Sequence, residues 1–206
     1  GDVETTSADL SSPLIDNQVG STSGWSGLLQ PAVRGELGVG LVMGVMLALT
    51  GINAVFFYAP SIFESVGFAH IKALLSLLLS VWNVLVTIVG VILVAYIKER
   101  HLLLFGLAFN MLGLGIEAVS IQVGARWFSF VGIFITVFGF AIGPGVVFWV
   151  ALTRIFSLPV RAEGCSLINL QQWTENLALG FLFPILVEKF GIVVMFWFFF
   201  GIALFC

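Results

Sequence analysis

Apolar residues dominate the chain from Leu37 onward, in long runs separated by short polar segments. Most of these runs reach the roughly 20 residues that an α-helix needs to cross the hydrocarbon core of a bilayer. Because unpaired backbone amides are costly in lipid and no alternating barrel pattern is visible, each run is predicted to be a helix. The six predicted spans are Leu37 to Phe57, Ala73 to Ile97, Leu102 to Val123, Trp127 to Thr153, Cys165 to Val187 and Gly191 to Cys206. The last span is the shortest, so the sequence is expected to end inside a helix.

The composition predicts the same class of protein. Hydrophobic residues make up 60% of the 206 residues, charged residues make up 9%, and the mean hydropathy is +1.14. A soluble domain of this length cannot bury so much apolar surface. The chain is therefore predicted to be an all-α, multi-pass integral membrane protein that is surrounded by the lipid bilayer. Its net charge of −3 includes no basic stripe, which argues against a nucleic-acid partner.

Residues 1 to 34 differ in composition from the rest of the chain, because Ser, Thr, Asp and Gly are frequent there and large apolar residues are few. Such a segment cannot bury enough surface to offset the entropy of ordering, so it is predicted to be a disordered linker before a helix bundle of residues 35 to 206. Basic residues favour the linker's side of the membrane: Arg34, Lys98, Arg100, Arg154 and Arg161, against Lys72, Arg126 and Lys189 on the other side. The positive-inside rule then predicts a cytosolic linker.

Polar and helix-breaking residues interrupt the first span. Gly51, Asn53 and Pro60 fall within it, and Thr50 lies three residues before Asn53 on the same helical face. A neutral amide both donates and accepts hydrogen bonds, which suits a sugar hydroxyl that does the same. The alternative is a polar contact between helices, which is common in membrane bundles.

The second span carries a polar stripe. Ser76, Ser80, Asn83 and Thr87 are spaced by four, three and four residues, which places them along one face of a helix. Lipid does not solvate such a face. The stripe therefore lines a water-filled cavity or packs against a neighbouring helix through its small hydroxyls.

The fourth span contains a cluster of helix-breaking residues: Gly139, Gly143, Pro144 and Gly145. A break of this kind survives in a membrane only where it faces protein or water. Trp149 follows one turn later, where an indole can stack on the C–H face of a sugar and donate its N–H to a hydroxyl. A kinked packing helix with an interfacial tryptophan is the alternative.

Amides and a carboxylate share the fifth span. Asn169, Gln172 and Asn176 recur at spacings of three and four, with Trp173 and Glu175 beside them. An ionisable residue near the middle of a span is costly, which makes Glu175 a functional candidate.

Other ionisable groups suggest no catalytic or metal site. Glu117 falls nearer the outer end of the third span, where it can reach the interface. His70 and His101 lie in loops on opposite sides of the membrane, and no carboxylate cluster accompanies them. No cofactor is predicted, and no nucleophile, base and orienting group occur in an order that predicts an enzyme.

Several of these motifs resemble, in the same order, those of the sugar porter family of the major facilitator superfamily, which includes the facilitative hexose transporters. Thr50-Gly51-Ile52-Asn53 matches the seventh-helix motif, in which the Asn is a sugar ligand. The family's eighth-helix amide falls at Asn83, and Gly143-Pro144-Gly145 followed by Trp149 is similar to the tenth-helix signature. Arg161 matches the arginine after that helix. Trp173 with Asn176 resembles the eleventh-helix pattern. The resemblance covers Leu37 to Cys206 and implies the C-terminal six-helix half of such a transporter, with the last helix truncated.

The chain also departs from the family pattern. Leu47 and Ala48 stand where the family has two glutamines that bind sugar, so two amides are lost. The acidic residue that ends the eighth helix falls at Ala95, and the Gly-Arg-Arg turn reads Lys98-Glu99-Arg100. The tenth-helix glutamate, which pairs with cytosolic arginines in the family, falls at Arg154.

The resemblance implies a hexose-like sugar transporter that works by alternating access, in the plasma membrane or an internal membrane such as a vacuole. Its partners are a small sugar and an N-terminal six-helix half. The implied substrate-binding residues are Thr50, Asn53, Asn83, Trp149, Trp173 and Asn176. The implied cytosolic gate is formed by Glu99, Arg100, Arg154, Arg161 and Glu163. The departures leave open a non-transporting relative that acts as a sensor, a partner subunit or a degenerate fragment.

Overall fold

The computed structural model describes residues 24–65 and 67–205. Within those residues the chain is helical and contains no strand. A helical turn, Trp25–Leu28, precedes the longer helices, and 3₁₀ turns lie at Ala69–Ile71 and Leu158–Val160. The longer helices are α1 (Arg34–Leu49), α2 (Ile52–Ser65), α3 (Lys72–Tyr96), α4 (Glu99–Val123), α5 (Arg126–Ile142), α6 (Pro144–Ile155), α7 (Arg161–Phe190) and α8 (Ile192–Phe205). The predicted all-helical fold is confirmed.

Four segments of the described chain are long and apolar enough to cross a bilayer: Arg34–Glu64, Ala69–Tyr96, Glu99–Val123 and Trp127–Ile155. The first joins α1 to α2 and the fourth joins α5 to α6, so each of these is one span with a break inside it. Helix α7 has 30 residues, but its polar residues lower its hydropathy below that of the other spans. Helix α8 is strongly apolar and has 14 residues, about 21 Å of helix.

Both breaks are covered by other helices rather than by lipid. At Gly51 the backbone has a φ of +81°, which L side chains rarely adopt, and a Cβ there would lie 2.9 Å from Cγ of Phe199 in α8. At the second break, Pro144 is the first residue of α6 and has no amide hydrogen to leave unpaired. A Cβ on the preceding Gly143 would lie 2.6 Å from Cα of Gly106 in α4.

Helices α4 and α5 approach each other so closely that their backbones touch. A Cβ on Gly139 would lie 2.2 Å from the backbone nitrogen of Asn110, and one on Gly113 would lie 2.4 Å from that of Thr136. Small residues permit this kind of contact between membrane helices, where dispersion forces replace the hydrophobic effect. Among the described glycines, the closest approaches to a neighbouring helix occur in this pair.

Three groups of buried apolar residues fill the described bundle, and the smallest consists of Val86, Leu102, Ala141, Ile142 and Val147. The largest group joins α2, α3, α4, α5, α7 and α8, with Phe63 and Phe199 among its largest fully buried members. The second lies where α1, α6 and α7 meet, around Phe156 and Ile168. Leu28 of the first helical turn is 3% exposed and belongs to this second group. Most of the predicted linker, residues 1 to 23, lies outside the described residues, so its boundary with the bundle stays a prediction.

We predict that Gly139→Ala destabilises the protein by about 1 to 3 kcal/mol, because the new methyl group must push α4 and α5 apart. The measurement is the thermal unfolding midpoint of the purified protein in detergent. The matched control is Gly201→Ala in α8, where a Cβ meets no atom within 4 Å. This control should be neutral or slightly stabilising, since alanine is the better helix former. Equal midpoints for the two variants would contradict the proposed packing.

Candidate functional site

Two of the predicted site residues meet directly in the structure. Nδ2 of Asn53 donates a hydrogen bond to Oδ1 of Asn176, which joins α2 to α7. Asn53 follows the Gly51 break by two residues, and Asn176 lies in the middle of the 30-residue α7. The bond uses one atom of each amide, so Oδ1 of Asn53 and Nδ2 of Asn176 remain for another partner.

An aromatic groove adjoins this amide pair. The lining residues are Phe57, Tyr58, Trp173, Asn176, Leu177, Gly180 and Phe181. The hydroxyl of Tyr58 donates to the carbonyl of Gly180 at 2.7 Å, which holds α2 against α7 along the groove. The Trp173 side chain is 63% exposed and leaves its indole available for stacking.

Polar groups continue along α7 toward α1. Nε2 of Gln171 donates to the carbonyl of Leu41 at 3.0 Å and to Oε1 of Glu175 at 2.7 Å. This amide lies against Gly44, where a Cβ would be 3.2 Å from Oε1 of Gln171. The half-buried Glu175 carboxylate is thereby fixed through one of its two oxygens.

The remaining predicted ligands lie elsewhere. Thr50 is 1% exposed, lines an apolar pocket and donates its hydroxyl to the carbonyl of Leu47 at 2.8 Å. Asn83 is half-buried on α3, and Trp149 is 45% exposed on α6 with its ring edge-on to Phe148. These three residues are not part of the aromatic groove. Their predicted roles in sugar binding stay predictions.

The polar stripe of α3 is partly satisfied within its own helix. The hydroxyls of Ser76 and Ser80 donate to the carbonyls of Lys72 and Ser76, respectively. This arrangement removes two donors from the predicted cavity lining. Asn83 and Thr87, on the same stripe, are half-buried.

Leu47 and Ala48, which replace the family's two glutamines, face the interior of the bundle. Leu47 is 5% exposed and packs in the apolar group around Phe156, and Ala48 is fully buried. The resemblance implied that these positions face a sugar cavity. In this structure Leu47 is closed in by apolar side chains, so its surroundings match the residue that the chain carries.

At the predicted cytosolic end, an ion pair links α6 to α4. A guanidinium nitrogen of Arg154 bonds Oε1 of Glu99. Arg154 stands where the family has a glutamate, and Glu99 supplies the negative charge that pairs with it. Arg161 donates from Nε to the carbonyl of Phe156 at 3.1 Å. Arg100 is exposed and Glu163 is half-buried, and their predicted gate roles stay predictions.

A further contact ties α1 to this end of the bundle. Oε2 of Glu36 accepts hydrogen bonds from the backbone nitrogen of Ser157 at 3.1 Å and from its hydroxyl at 3.4 Å. The first turn of α1 is therefore anchored to the loop between α6 and α7. Sequence reasoning did not assign a role to Glu36.

Glu117 occupies an unexpected position. It is fully buried between α4 and α5, where the hydroxyl of Ser129 donates to its Oε1 at 2.6 Å. The prediction that Glu117 reaches the membrane interface is therefore wrong. Glycines on the facing helix make room for its side chain, since a Cβ on Gly132 would lie 3.0 Å from Oε2. Among the described residues no group of three His, Cys, Asp or Glu side chains could hold a metal ion.

Tyr58 and Gln171 are the contact residues that sequence reasoning missed. Nothing in the sequence pattern showed that the Tyr58 hydroxyl meets the carbonyl of Gly180. No role was assigned to Gln171 from the sequence. Its proximity to Leu41 depends on how α1 crosses α7.

Comparison with known proteins decides the family. The model of the family described as "Sugar (and other) transporter" matches residues 8–206. The chain belongs to this family. The predicted resemblance to sugar porters is confirmed at that level, and the relatives that follow are transporters rather than enzymes.

The named relatives in this family are described as transporters of different sugars. The chain is 29% identical to the "D-xylose transporter" of Levilactobacillus brevis over 180 residues, which is 82% of the chain and 38% of that protein. It is 34% identical to "Solute carrier family 2, facilitated glucose transporter member 4" of Homo sapiens, over 77% of the chain and 32% of that protein. It is 25% identical to the "Arabinose-proton symporter" of Bacillus subtilis, over 96% of the chain and 43% of that protein. The chain thus spans about two fifths or less of their length.

Solved structures show the same fold at lower identity. The "MFS (major facilitator superfamily) proton:xylose symporter XylE" matches with a TM-score of 0.74 and 22% identity, over 82% of the chain and 37% of that protein. A second structure, of "D-xylose-proton symporter", gives a TM-score of 0.77 at 22% identity, over 93% of the chain and 44% of that protein. This member of the sugar transporter family is therefore an integral membrane protein with a major facilitator fold.

We predict a measurable coupling between Asn53 and Asn176. Each single change to alanine should lower the free energy of unfolding. The loss in the double variant should be smaller than the sum of the two single losses by about 0.6 kcal/mol, with an upper bound near 1.7 kcal/mol. The measurement is a double-mutant cycle on unfolding in detergent. Asn53→Ala combined with Thr174→Ala is the control, because the Thr174 hydroxyl bonds the carbonyl of Leu170 in its own helix. Coupling as large in the control pair would count against the contact.

We also predict that the Arg154–Glu99 pair keeps the ends of α4 and α6 together. Glu99→Arg alone should speed labelling of the Cys165 thiol, which lies 3.8 Å from the carbonyl of Leu152 in α6, and adding Arg154→Glu should restore the slow rate. Because the Arg154 side chain is 70% exposed, the change should be at most about fivefold.

The labelling experiment uses a Cys206→Ser background, so that only one thiol reacts. Its control is Glu64→Lys, which breaks the Lys72–Glu64 pair at the other end of the bundle and should leave the rate unchanged. A double reversal that labels as fast as Glu99→Arg would refute the pairing.

Proposed function

We propose that the protein is a sugar transporter that works by alternating access, and that this chain supplies the C-terminal helix bundle on one side of its substrate path. The single observation that carries the proposal is the Asn53–Asn176 hydrogen bond beside the aromatic groove. The two bonded amides keep a free donor and a free acceptor, and they lie beside the exposed indole of Trp173. Amides can bond the hydroxyl groups of a sugar, and an indole can stack on its C–H face.

The position of the amide pair supports the same proposal. Asn53 follows the break at Gly51, and Asn176 lies near mid-helix in α7, so both are far from the helix ends that reach the aqueous phases. Substrate sites of secondary transporters lie near the membrane midplane, commonly where helices are discontinuous. The named relatives, described as xylose, arabinose and glucose transporters, support sugar as the substrate class.

The cytosolic contacts supply a gate in this proposal. The Arg154–Glu99 pair and the Glu36–Ser157 bonds join α1, α4 and α6 at one end of the bundle. Exposed pairs of this kind are individually weak, so they can form and break as the protein changes conformation. We propose that Arg100, Arg161 and Glu163 complete the gate, opposite an N-terminal six-helix half.

A non-transporting relative is the second candidate. The loss of two family glutamines at Leu47 and Ala48 favours it, because each missing partner costs about 1 to 3 kcal/mol of binding free energy. The packing of Leu47 in an apolar group also supports this candidate, because an apolar side chain there offers a sugar hydroxyl no partner. Such a protein would serve as a sensor or a partner subunit in the plasma membrane or an internal membrane.

We predict that the protein, expressed at its full natural length in proteoliposomes, binds and transports labelled pentose or hexose. Asn53→Ala or Asn176→Ala should weaken sugar binding by about fivefold to a hundredfold, the equivalent of one lost partner for a buried hydroxyl. Equilibrium binding and counterflow measure the two properties. Ser80→Ala is the control, since its hydroxyl is bonded within α3.

Three outcomes separate the candidates. Binding with counterflow supports a transporter. Binding without counterflow supports a sensor or subunit. No binding of any sugar by the natural protein, with folding shown by a single unfolding transition, would overturn the sugar site.

A further inference from the structure

Ser157 lies in an exposed and extended loop between α6 and α7. Phe156 has a φ of −83° and a ψ of 133°, and Ser157 has a φ of −60° and a ψ of 148°, so the backbone of both is extended. Ser157, Leu158 and Pro159 are exposed in succession, and Leu158 is 79% exposed. A serine in such a loop is accessible to a modifying enzyme.

The Ser157 hydroxyl belongs to a contact that a negative charge would break. Oε2 of Glu36 accepts one hydrogen bond from the Ser157 backbone nitrogen at 3.1 Å and one from the hydroxyl at 3.4 Å. A phosphate on that hydroxyl oxygen removes its hydrogen and adds a charge of about −1.5 to −2 at neutral pH. Because the new charge would lie next to the Glu36 carboxylate, the two would repel, and the first turn of α1 would separate from the loop.

Two arginines flank Ser157 and can bind a phosphate there. Nε of Arg161 donates to the carbonyl of Phe156 at 3.1 Å, and that carbonyl carbon is bonded to the Ser157 nitrogen, so the guanidinium lies beside the loop. Arg154 precedes Ser157 by three residues, and its side chain is 70% exposed while it pairs with Glu99. Hydrogen bonds between arginine and phosphate are charge-assisted and strong. A phosphate on Ser157 would therefore compete with Glu99 for Arg154.

The same surroundings indicate the class of enzyme. Kinases select substrates partly by charge pattern, and an arginine three residues before the target serine suits a kinase with an acidic substrate groove. The nearby Ser166 differs, because Glu163 precedes it by three residues and its hydroxyl bonds the carbonyl of Ala162 within α7. Ser157 thus has both an extended loop and a basic neighbour, whereas Ser166 has neither.

We propose that Ser157 is a phosphorylation site for a serine/threonine protein kinase, and that the phosphate opens the Glu36 contact. In this step the Ser157 hydroxyl oxygen bonds the γ-phosphorus of a nucleoside triphosphate that the kinase holds. The bond from that phosphorus to the β,γ-bridging oxygen breaks, nucleoside diphosphate leaves, and the hydroxyl proton passes to a carboxylate of the kinase. The inference rests on the proposed function, because the contact that opens is part of the proposed gate.

The first measurement tests the site. The kinase is one selected because it phosphorylates a synthetic peptide of residues 150–163. It is incubated with ATP and the purified protein at its full natural length, and mass spectrometry locates the phosphate. Phosphate is expected on Ser157 and not on Ser166, and Ser157→Ala should abolish it.

The second measurement tests the opening. Val160 is 2% exposed and packs in the apolar group around Phe156, so the thiol introduced by Val160→Cys in a background without other cysteines should react slowly. Phosphorylation should speed its labelling by about threefold to tenfold, as expected for repulsion between charges near the surface. Glu36→Gln should remove this acceleration, because a glutamine oxygen can still accept from the Ser157 backbone but carries no charge.

The matched control is Glu163→Gln, which neutralises another half-buried carboxylate at the same end of the bundle and should keep the acceleration. An unmodified Ser157 in the protein, under conditions that phosphorylate the peptide, would overturn the assigned site. A phosphorylated protein that is labelled at the unphosphorylated rate would overturn the proposed opening. Neither measurement contains a sugar, so both of these results would leave the proposed function standing, and a failure to bind sugar would refute that function without changing either result.

Discussion

A hydrocarbon solvent offers no hydrogen-bond partner, and this constraint determines where the helices of this protein can be broken. Both breaks occur where another helix covers the backbone. Gly51 adopts a positive φ against Phe199, and Gly143 lies against Gly106, so a side chain at either position would collide with the covering helix. The candidate site lies next to the first break, because Asn53 is the second residue of α2 and bonds Asn176 of α7.

The bundle combines two kinds of helix contact. Helices α4 and α5 touch through their backbones at Gly113 and Gly139, and such a contact tolerates no sliding because every displacement meets main-chain atoms. Helices α1, α2 and α7 pack through apolar side chains and also meet through hydrogen bonds from the longer side chains of Gln171 and Tyr58. Side-chain contacts can exchange partners at low cost. The backbone contact therefore fixes the distance between α4 and α5, whereas hydrogen bonds from side chains join α7 to α1 and α2.

Charge is distributed differently at the two levels of this bundle. At the predicted cytosolic end, Arg154 pairs with Glu99, so the departure of both residues from the family pattern leaves an ion pair with its polarity reversed. In the middle of the span, Glu175 has no cation partner among the described residues, and Gln171 satisfies only one of its oxygens. The first arrangement pairs two residues that both depart from the family pattern, whereas the half-buried Glu175 keeps one carboxylate oxygen without a donor.

The sequence by itself determined the helical membrane class, the approximate spans and the two breaks, because apolar length, Gly and Pro act locally on the backbone. It also placed Asn53 and Asn176 among the candidate ligands. Only the tertiary structure decided that these two amides bond each other, that Leu47 is packed in an apolar group and that Glu117 is buried against Ser129. Such pairings depend on the crossing of helices that are far apart in the chain, and the periodicity of a single helix carries no information about the neighbour that its face will meet.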